Sequence, residues 1–115
     1  MAARSAITTH ILDTARGCPA AGVPITLEVS KGGEWRALGS GKTDDDGRLG
    51  GLCQPSPIEP GVYRITFAIA DYFASTDTES FYPEAQIVFH VRDGSQHFHV
   101  PLLLSPFGYS TYRGS

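Results

Sequence analysis

Apolar and polar residues alternate along most of this chain. Val23, Ile25, Leu27 and Val29 are interleaved with Pro24, Thr26, Glu28 and Ser30, the period of two that marks a strand with one buried face. Tyr63, Ile65, Phe67 and Ile69 repeat the pattern, as do Ile87, Phe89 and Val91, and then Phe98, Val100, Leu102 and Leu104. "AITTHILD" near the start and "EWRALGSGKT" predict two further strands. Clusters of Gly and Pro punctuate these runs, among them "RGCPAAGVP", "DDDGRLGG", "QPSPIEPG" and "SPFG". Only "DYFASTDTESF" has the character of a helix, and only for a turn or two. Many short strands divided by turns predict an all-β fold, an antiparallel β-sandwich.

The outward positions of two of these strands depart from the usual pattern. A sandwich strand normally shows polar groups to water on the face it does not bury. In the first strand, with Ile7, Thr9 and Ile11 turned inward, the outward set is Thr8, His10 and Leu12. In the last long strand it is His97, His99, Pro101 and Leu103. The opposite register there would bury two histidines and expose Phe98, Val100, Leu102 and Leu104, so the assignment is secure. Histidine mixed with aliphatic groups suits a pocket or a subunit interface better than a solvated surface.

Composition narrows the class. A chain of 115 residues, 41% of them hydrophobic, reads as one domain over 1–115 with a core of its own. The net charge of −3 comes with no basic patch, which argues against nucleic acid as a partner. No apolar run is long enough to span a membrane. "MAARSAITTHILD" carries no apolar segment ahead of a cleavage site, so the expectation is a cytoplasmic protein. Cys18 and Cys53 form neither a metal pattern nor a disulfide framework, and they read as free thiols in a reducing compartment.

Candidate chemistry rests on four histidines, His10, His90, His97 and His99. Histidine changes charge near neutral pH and is the default general base. His90 stands alone in its strand and reads as structural. His97 and His99 share a face, a spacing that also suits zinc, but no nearby carboxylate or cysteine completes a site with His10. Asp44, Asp45 and Asp46 lack the alternation and closing Glu of a calcium loop, and with Gly47 they read as a turn. Arg48 follows, with a planar fork for carbonyl or anionic oxygens. No Gly-x-Ser-x-Gly elbow and no phosphate-binding glycine loop is present.

"TTHILD", "GCPAAGVPITLE", "KTDDDGR", "PGVYRITF", "YFASTDTESFYPE" and "HFHVPLLLSPFGYSTYRGS" together resemble the 5-hydroxyisourate hydrolases, the transthyretin-related enzymes of purine breakdown. The likeness runs from about Ser5 to Ser115, and the Tyr-Arg-Gly-Ser ending is its most discriminating element. It implies a transthyretin-like sandwich of two four-stranded sheets with one short helix. It implies a homotetramer, a dimer of dimers, with active sites at the dimer–dimer interface. The implied reaction is hydrolytic ring opening of 5-hydroxyisourate to 2-oxo-4-hydroxy-4-carboxy-5-ureidoimidazoline, on the route to allantoin, with no metal and no cofactor. His10, Arg48, His99 and Ser115 match the family's catalytic positions. His10, Arg48, Tyr112, Arg113 and Gly114 match its substrate-binding positions, and His97 ranks below His99. Two other readings stand beside this one. A transthyretin-like carrier of a small ligand would call for a largely apolar channel. A zinc-dependent hydrolase would be built on His10, His97 and His99.

Overall fold

The computed structural model describes residues 4–114, which form nine strands and one helix. One sheet has the order β4-β3-β6-β7, from Glu34–Lys42, Pro24–Lys31, Gly61–Phe67 and Ala85–Val91. The other has the order β2-β1-β8-β9, from Cys18–Pro19, Ile7–Asp13, Phe98–Ser105 and Gly108–Thr111. A two-residue strand, β5 (Arg48–Leu49), joins this second sheet along β1. The inward sets read from the alternation are the buried ones: Val23, Ile25, Leu27 and Val29, then Tyr63, Ile65 and Phe67, then Phe98, Val100, Leu102 and Leu104. They meet Ile7 and Ile11 in one core cluster between the sheets. Each such aliphatic or aromatic side chain contributes roughly 1.5–3 kcal/mol on burial.

Two sequence expectations are corrected. The sandwich is antiparallel except at one place, since β1 and β8 run parallel over Ile7–Asp13 and Phe98–Leu104. Alternation carries no information about direction, and no hairpin links these two strands to impose one. The helix, α1, spans Ile69–Ser75 rather than starting at Asp71. Ile69, assigned to the end of a strand, instead joins Tyr72 and Phe73 on a buried helical face, the i, i+3, i+4 spacing of an amphipathic turn. Asp77, at φ 52°, ends it in the left-handed region, and the Thr78 N–H then donates to the Phe73 carbonyl at 2.9 Å.

A polar group is buried at the inward end of β1. Asp13 is 1% exposed, yet both its carboxylate oxygens are satisfied. The Ala15 and Arg16 N–H groups donate to Oδ1 at 3.1 Å each, and the Tyr72 hydroxyl donates to Oδ2 at 2.7 Å. Burial, with the Asp13 carboxylate beside it, pushes the Tyr72 hydroxyl up to about 12. This network ties α1 to the sheet that carries the histidines. Among the described residues no helix is long and apolar enough to cross a membrane.

Candidate active site

The outward face of the β1–β8 pair gathers the chemistry. The parallel register sets Thr8 opposite His99, His10 opposite Pro101 and Leu12 opposite Leu103. The His10 and His99 rings are stacked, 6.4 Å between centroids and 28° between planes. On the other edge of β1, β5 places Arg48 opposite His10.

Arg48 is held there by the acidic turn. The Asp44 carboxylate accepts hydrogen bonds from the Asp46 and Arg48 N–H groups, both at 2.9 Å. The Gly47 N–H donates to the Asp44 carbonyl, and the Asp44 N–H donates to the Arg48 carbonyl. The three consecutive aspartates therefore serve a turn, as their spacing predicts. Gly47 sits at φ 74°, and a Cβ there would lie 2.5 Å from the Ile11 carbonyl oxygen. Only glycine lets the turn close this tightly on β1. Ile11 is the hinge point of the sheet edge: its N–H donates to Gly47 and its carbonyl accepts from Ala20, so β5 and β2 share one edge end to end.

A cavity of about 260 Å³ opens on this face, lined by Arg4, Thr8, Arg48, Leu49, His97 and His99 among others. His97 enters it from just before β8. The Thr8 Oγ1 lies 3.0 Å from His97 Nε2 and 2.9 Å from His99 Nδ1. Desolvation first, then Arg48, His10, His97 and Arg4, push the His99 pKa below the usual histidine value. Desolvation and Arg4 lower that of His97. Both rings are thus biased toward the neutral form, the form that can accept a proton. Among the described residues no group of three or more His, Cys, Asp or Glu side chains is placed to hold a metal ion. His10, His97 and His99 share a face without converging on a common point.

The tail returns to this face. β9 pairs with β8 from Ser105 back to Leu102, and the Thr111 hydroxyl donates to the Pro101 carbonyl at 2.7 Å. Pro101 has no N–H to offer, so the ladder lapses opposite Tyr112 and Arg113. It resumes at a bridge between His99 and Gly114, where the Gly114 N–H donates to the His99 carbonyl at 2.8 Å. A Cβ at Gly114 would lie 2.7 Å from His99 Cδ2, so the bare backbone is what fits beside the ring.

The structure brings His10, Arg48, His99 and Gly114 together. Tyr112 and Arg113 line a different cavity, of about 330 Å³, with Ile87, Phe89 and Phe98. The Arg113 guanidinium donates to Gln96 Oε1 at 2.9 Å and lies 4.5 Å from the centre of the Phe98 ring. Ser115 lies outside the described residues. His90 stands on β7 in the opposite sheet, across from Val62. Sequence reading did not single out Arg4 or Thr8. Thr8 shares its outward face with His10, but only the β1–β8 register sets it between two rings.

Comparison with known proteins places this geometry. Residues 7–114 match the model of the HIUase/Transthyretin family. The 5-hydroxyisourate hydrolase of Mus musculus is 46% identical over 113 residues, covering 96% of this chain and 96% of its own length. The structure of Klebsiella pneumoniae 5-hydroxyisourate hydrolase superposes with a TM-score of 0.78 at 38% identity, covering 98% of this chain and 94% of the other. Sea bream transthyretin, solved with thyroxine, superposes with a TM-score of 0.88 at 31% identity, covering 94% and 93%. The backbone thus lies nearer the thyroxine-bound protein while the residues lie nearer the hydrolases, and a shared fold does not decide between activities. Both kinds of relative lead to one assignment: the chain belongs to the HIUase/Transthyretin family.

Proposed function

We propose that this protein is a 5-hydroxyisourate hydrolase whose site is built on His10, Arg48 and His99. Water adds to the ring carbonyl, the adjacent carbon–nitrogen bond breaks, and a proton passes to the departing nitrogen. The product is 2-oxo-4-hydroxy-4-carboxy-5-ureidoimidazoline. The observation that carries this reading is the convergence of two stacked imidazoles and one guanidinium on a single outward face. A positioned base supplies ~100- to 10,000-fold in rate, and His99, whose pKa burial and neighbouring cations lower, meets that need. One ring takes the proton from water while the other orients it. Arg48 binds the substrate's oxygens and steadies the charge that develops on the carbonyl.

Gly114 keeps the tail flat against His99 and Arg113 anchors that tail to Gln96, while substrate contacts by Tyr112 and Ser115 rest on the family likeness alone. The assembly belongs to the same proposal: a homotetramer, built as a dimer of dimers, with the β1–β8 outward face lining the channel between dimers. Leu12 and Leu103, side by side on that face, continue it as an apolar band suited to a subunit contact. The same proposal assigns the reaction to the cytoplasm, where the thiols of Cys18 and Cys53 would stay reduced.

A small-ligand carrier is the second reading, and the sea bream likeness is what favours it. Arg4, Arg48 and the histidines make this cavity more polar than an apolar carrier site. The test is an ultraviolet time course with 5-hydroxyisourate generated in situ from urate and urate oxidase. Wild type should speed loss of the intermediate, and His99→Ala should slow the enzyme ~100- to 10,000-fold while keeping its fold. Decay at the spontaneous rate with folded wild type would favour the carrier instead.

A further inference from the structure

We infer that Thr8 is a positioning residue, whose hydroxyl fixes the tautomers of His97 and His99 so that His99 presents a bare Nε2 to the cavity. This rests on the hydrolase reading and deepens it, because it says which imidazole takes the proton.

The geometry is a relay of two hydrogen bonds through one oxygen. Thr8 Oγ1 is within 3.0 Å of His97 Nε2 and 2.9 Å of His99 Nδ1. A hydroxyl has one proton to donate, and its lone pairs accept. Two neutral rings facing it cannot both accept, because the hydroxyl has one proton to give, so at least one ring donates to Thr8. Either ring could take either part if nothing else acted on them.

His97 breaks the tie. The Ser5 backbone beside this ring favours its protonated form, the effect of a carbonyl oxygen rather than of an N–H. Nε2 faces Thr8, so the inferred tautomer of His97 has its proton on Nδ1, the nitrogen not engaged with Thr8. His97 Nε2 is then an acceptor, and the Thr8 hydroxyl donates to it. The Thr8 oxygen is left to accept, and His99 Nδ1–H donates to it. The remaining nitrogen of His99, Nε2, has a free lone pair.

The surroundings keep that lone pair unprotonated. Among the described residues, the charged or titratable groups facing His99 are Arg48 on β5, His10 on β1, His97 ahead of β8 and Arg4 in the N-terminal segment. Each is a cation or becomes one on protonation, so each opposes a charge on His99. Gly114, beside the ring, adds none. The relay thus joins a fixed tautomer to a low proton affinity, the two properties a base needs at neutral pH.

The test compares wild type with Thr8→Val, which keeps the shape and removes the hydroxyl, and with Thr8→Ser, which restores it. Thr8→Val should lower kcat on the order of 100-fold with KM nearly unchanged, and Thr8→Ser should recover most of the loss. The acid limb of the kcat/KM profile should move to lower pH in Thr8→Val, because His99 loses an acceptor that favours its charged form. Mere loosening of the strand would lower kcat without moving that limb, and matched thermal unfolding controls for it. Independently of activity, 15N-histidine long-range NMR reads the tautomer, with His99 assigned by its loss in His99→Gln. Wild-type His99 should carry its proton on Nδ1, and Thr8→Val should shift it toward Nε2. A wild-type His99 protonated on Nε2 overturns the assignment, as does a folded Thr8→Val with wild-type rate and profile. If wild type leaves 5-hydroxyisourate to decay unaided, the hydrolase reading falls, and the NMR result still decides the role of Thr8.

Discussion

On the outward face of the β4-β3-β6-β7 sheet, Glu28 and Arg64 lie directly opposite each other across β3 and β6. The Arg64 Nε and Nη2 donate to one Glu28 oxygen at 2.9 and 2.7 Å, and its guanidinium lies 4.3 Å from the centre of the Trp35 ring. On the outward face of the other sheet, Arg48 and Arg4 share a cavity with His97 and His99, and among the described residues no carboxylate lines it. Neither of the salt bridges among the described residues, Glu28–Arg64 and Lys31–Glu59, includes Arg48. Both sheets follow the same alternation and bury the same kind of residue. They differ in whether the outward polar groups answer one another. Where they do, the face is closed chemically; where cations gather beside the imidazoles, the described residues give Arg48 no salt-bridge partner.

The sharpest way to break that contrast is to remove the cation. Arg48→Ala should lower kcat for 5-hydroxyisourate by ~100- to 1,000-fold, the loss typical of one donor to a developing oxyanion. Arg48→Lys should recover only part of it, since an ammonium restores the charge without the planar fork. Ultraviolet decay of the intermediate measures both. An Arg48→Ala variant with full activity would make this cation an ordinary surface group, and the two faces would differ only in composition.

How far the sequence revealed these faces follows from what alternation encodes. It reports which side of a strand is buried, and for Ile7 to Ile11, Val23 to Val29 and Phe98 to Leu104 that reading matches the burial. It is blind to direction and to pairing partner, so it missed the parallel β1–β8 register. That register is what sets Thr8 between two histidines. Ile69 fits a period of two and a period of 3.6 equally well, and the helix claimed it. His10, Arg48 and His99 were legible as residue types, and the resemblance grouped them. Arg4 precedes the first periodic residue and left no signal. That Tyr112 and Arg113 line a different cavity from His99 was not legible, because no pattern of polarity shows where the tail's pairing with β8 lapses.

A polar group turned inward offers a third term for the contrast. Asp13 is buried but complete, with Tyr72 supplying one of its hydrogen bonds. Tyr72→Phe removes that donor and leaves a buried carboxylate oxygen short, at a cost of ~1–3 kcal/mol. Thermal or denaturant unfolding should show the loss, with hydrolysis per folded molecule unchanged. An unaltered stability would mean that water reaches Asp13 and that the inward end of β1 is more open than its burial indicates.

The smallest expected effect belongs to the self-satisfied face. Glu28 and Arg64 keep side-chain exposures of 19% and 21%, so solvent screens only part of their attraction. A double-mutant cycle through Glu28→Gln and Arg64→Met should give a coupling of about 1 kcal/mol, the upper end of the range for exposed pairs, since this pair is partly buried. Added salt should weaken it further, since the Debye length shrinks to about 3 Å at 1 M. None of these variants should change the rate on 5-hydroxyisourate. A coupling well above this range would mean that Trp35 shields the pair from water. A change in rate would carry more weight, because it would show that the outward face of the far sheet is felt at His99. The two faces would then be parts of one device rather than a closed surface and an open site on opposite sides of a shared core.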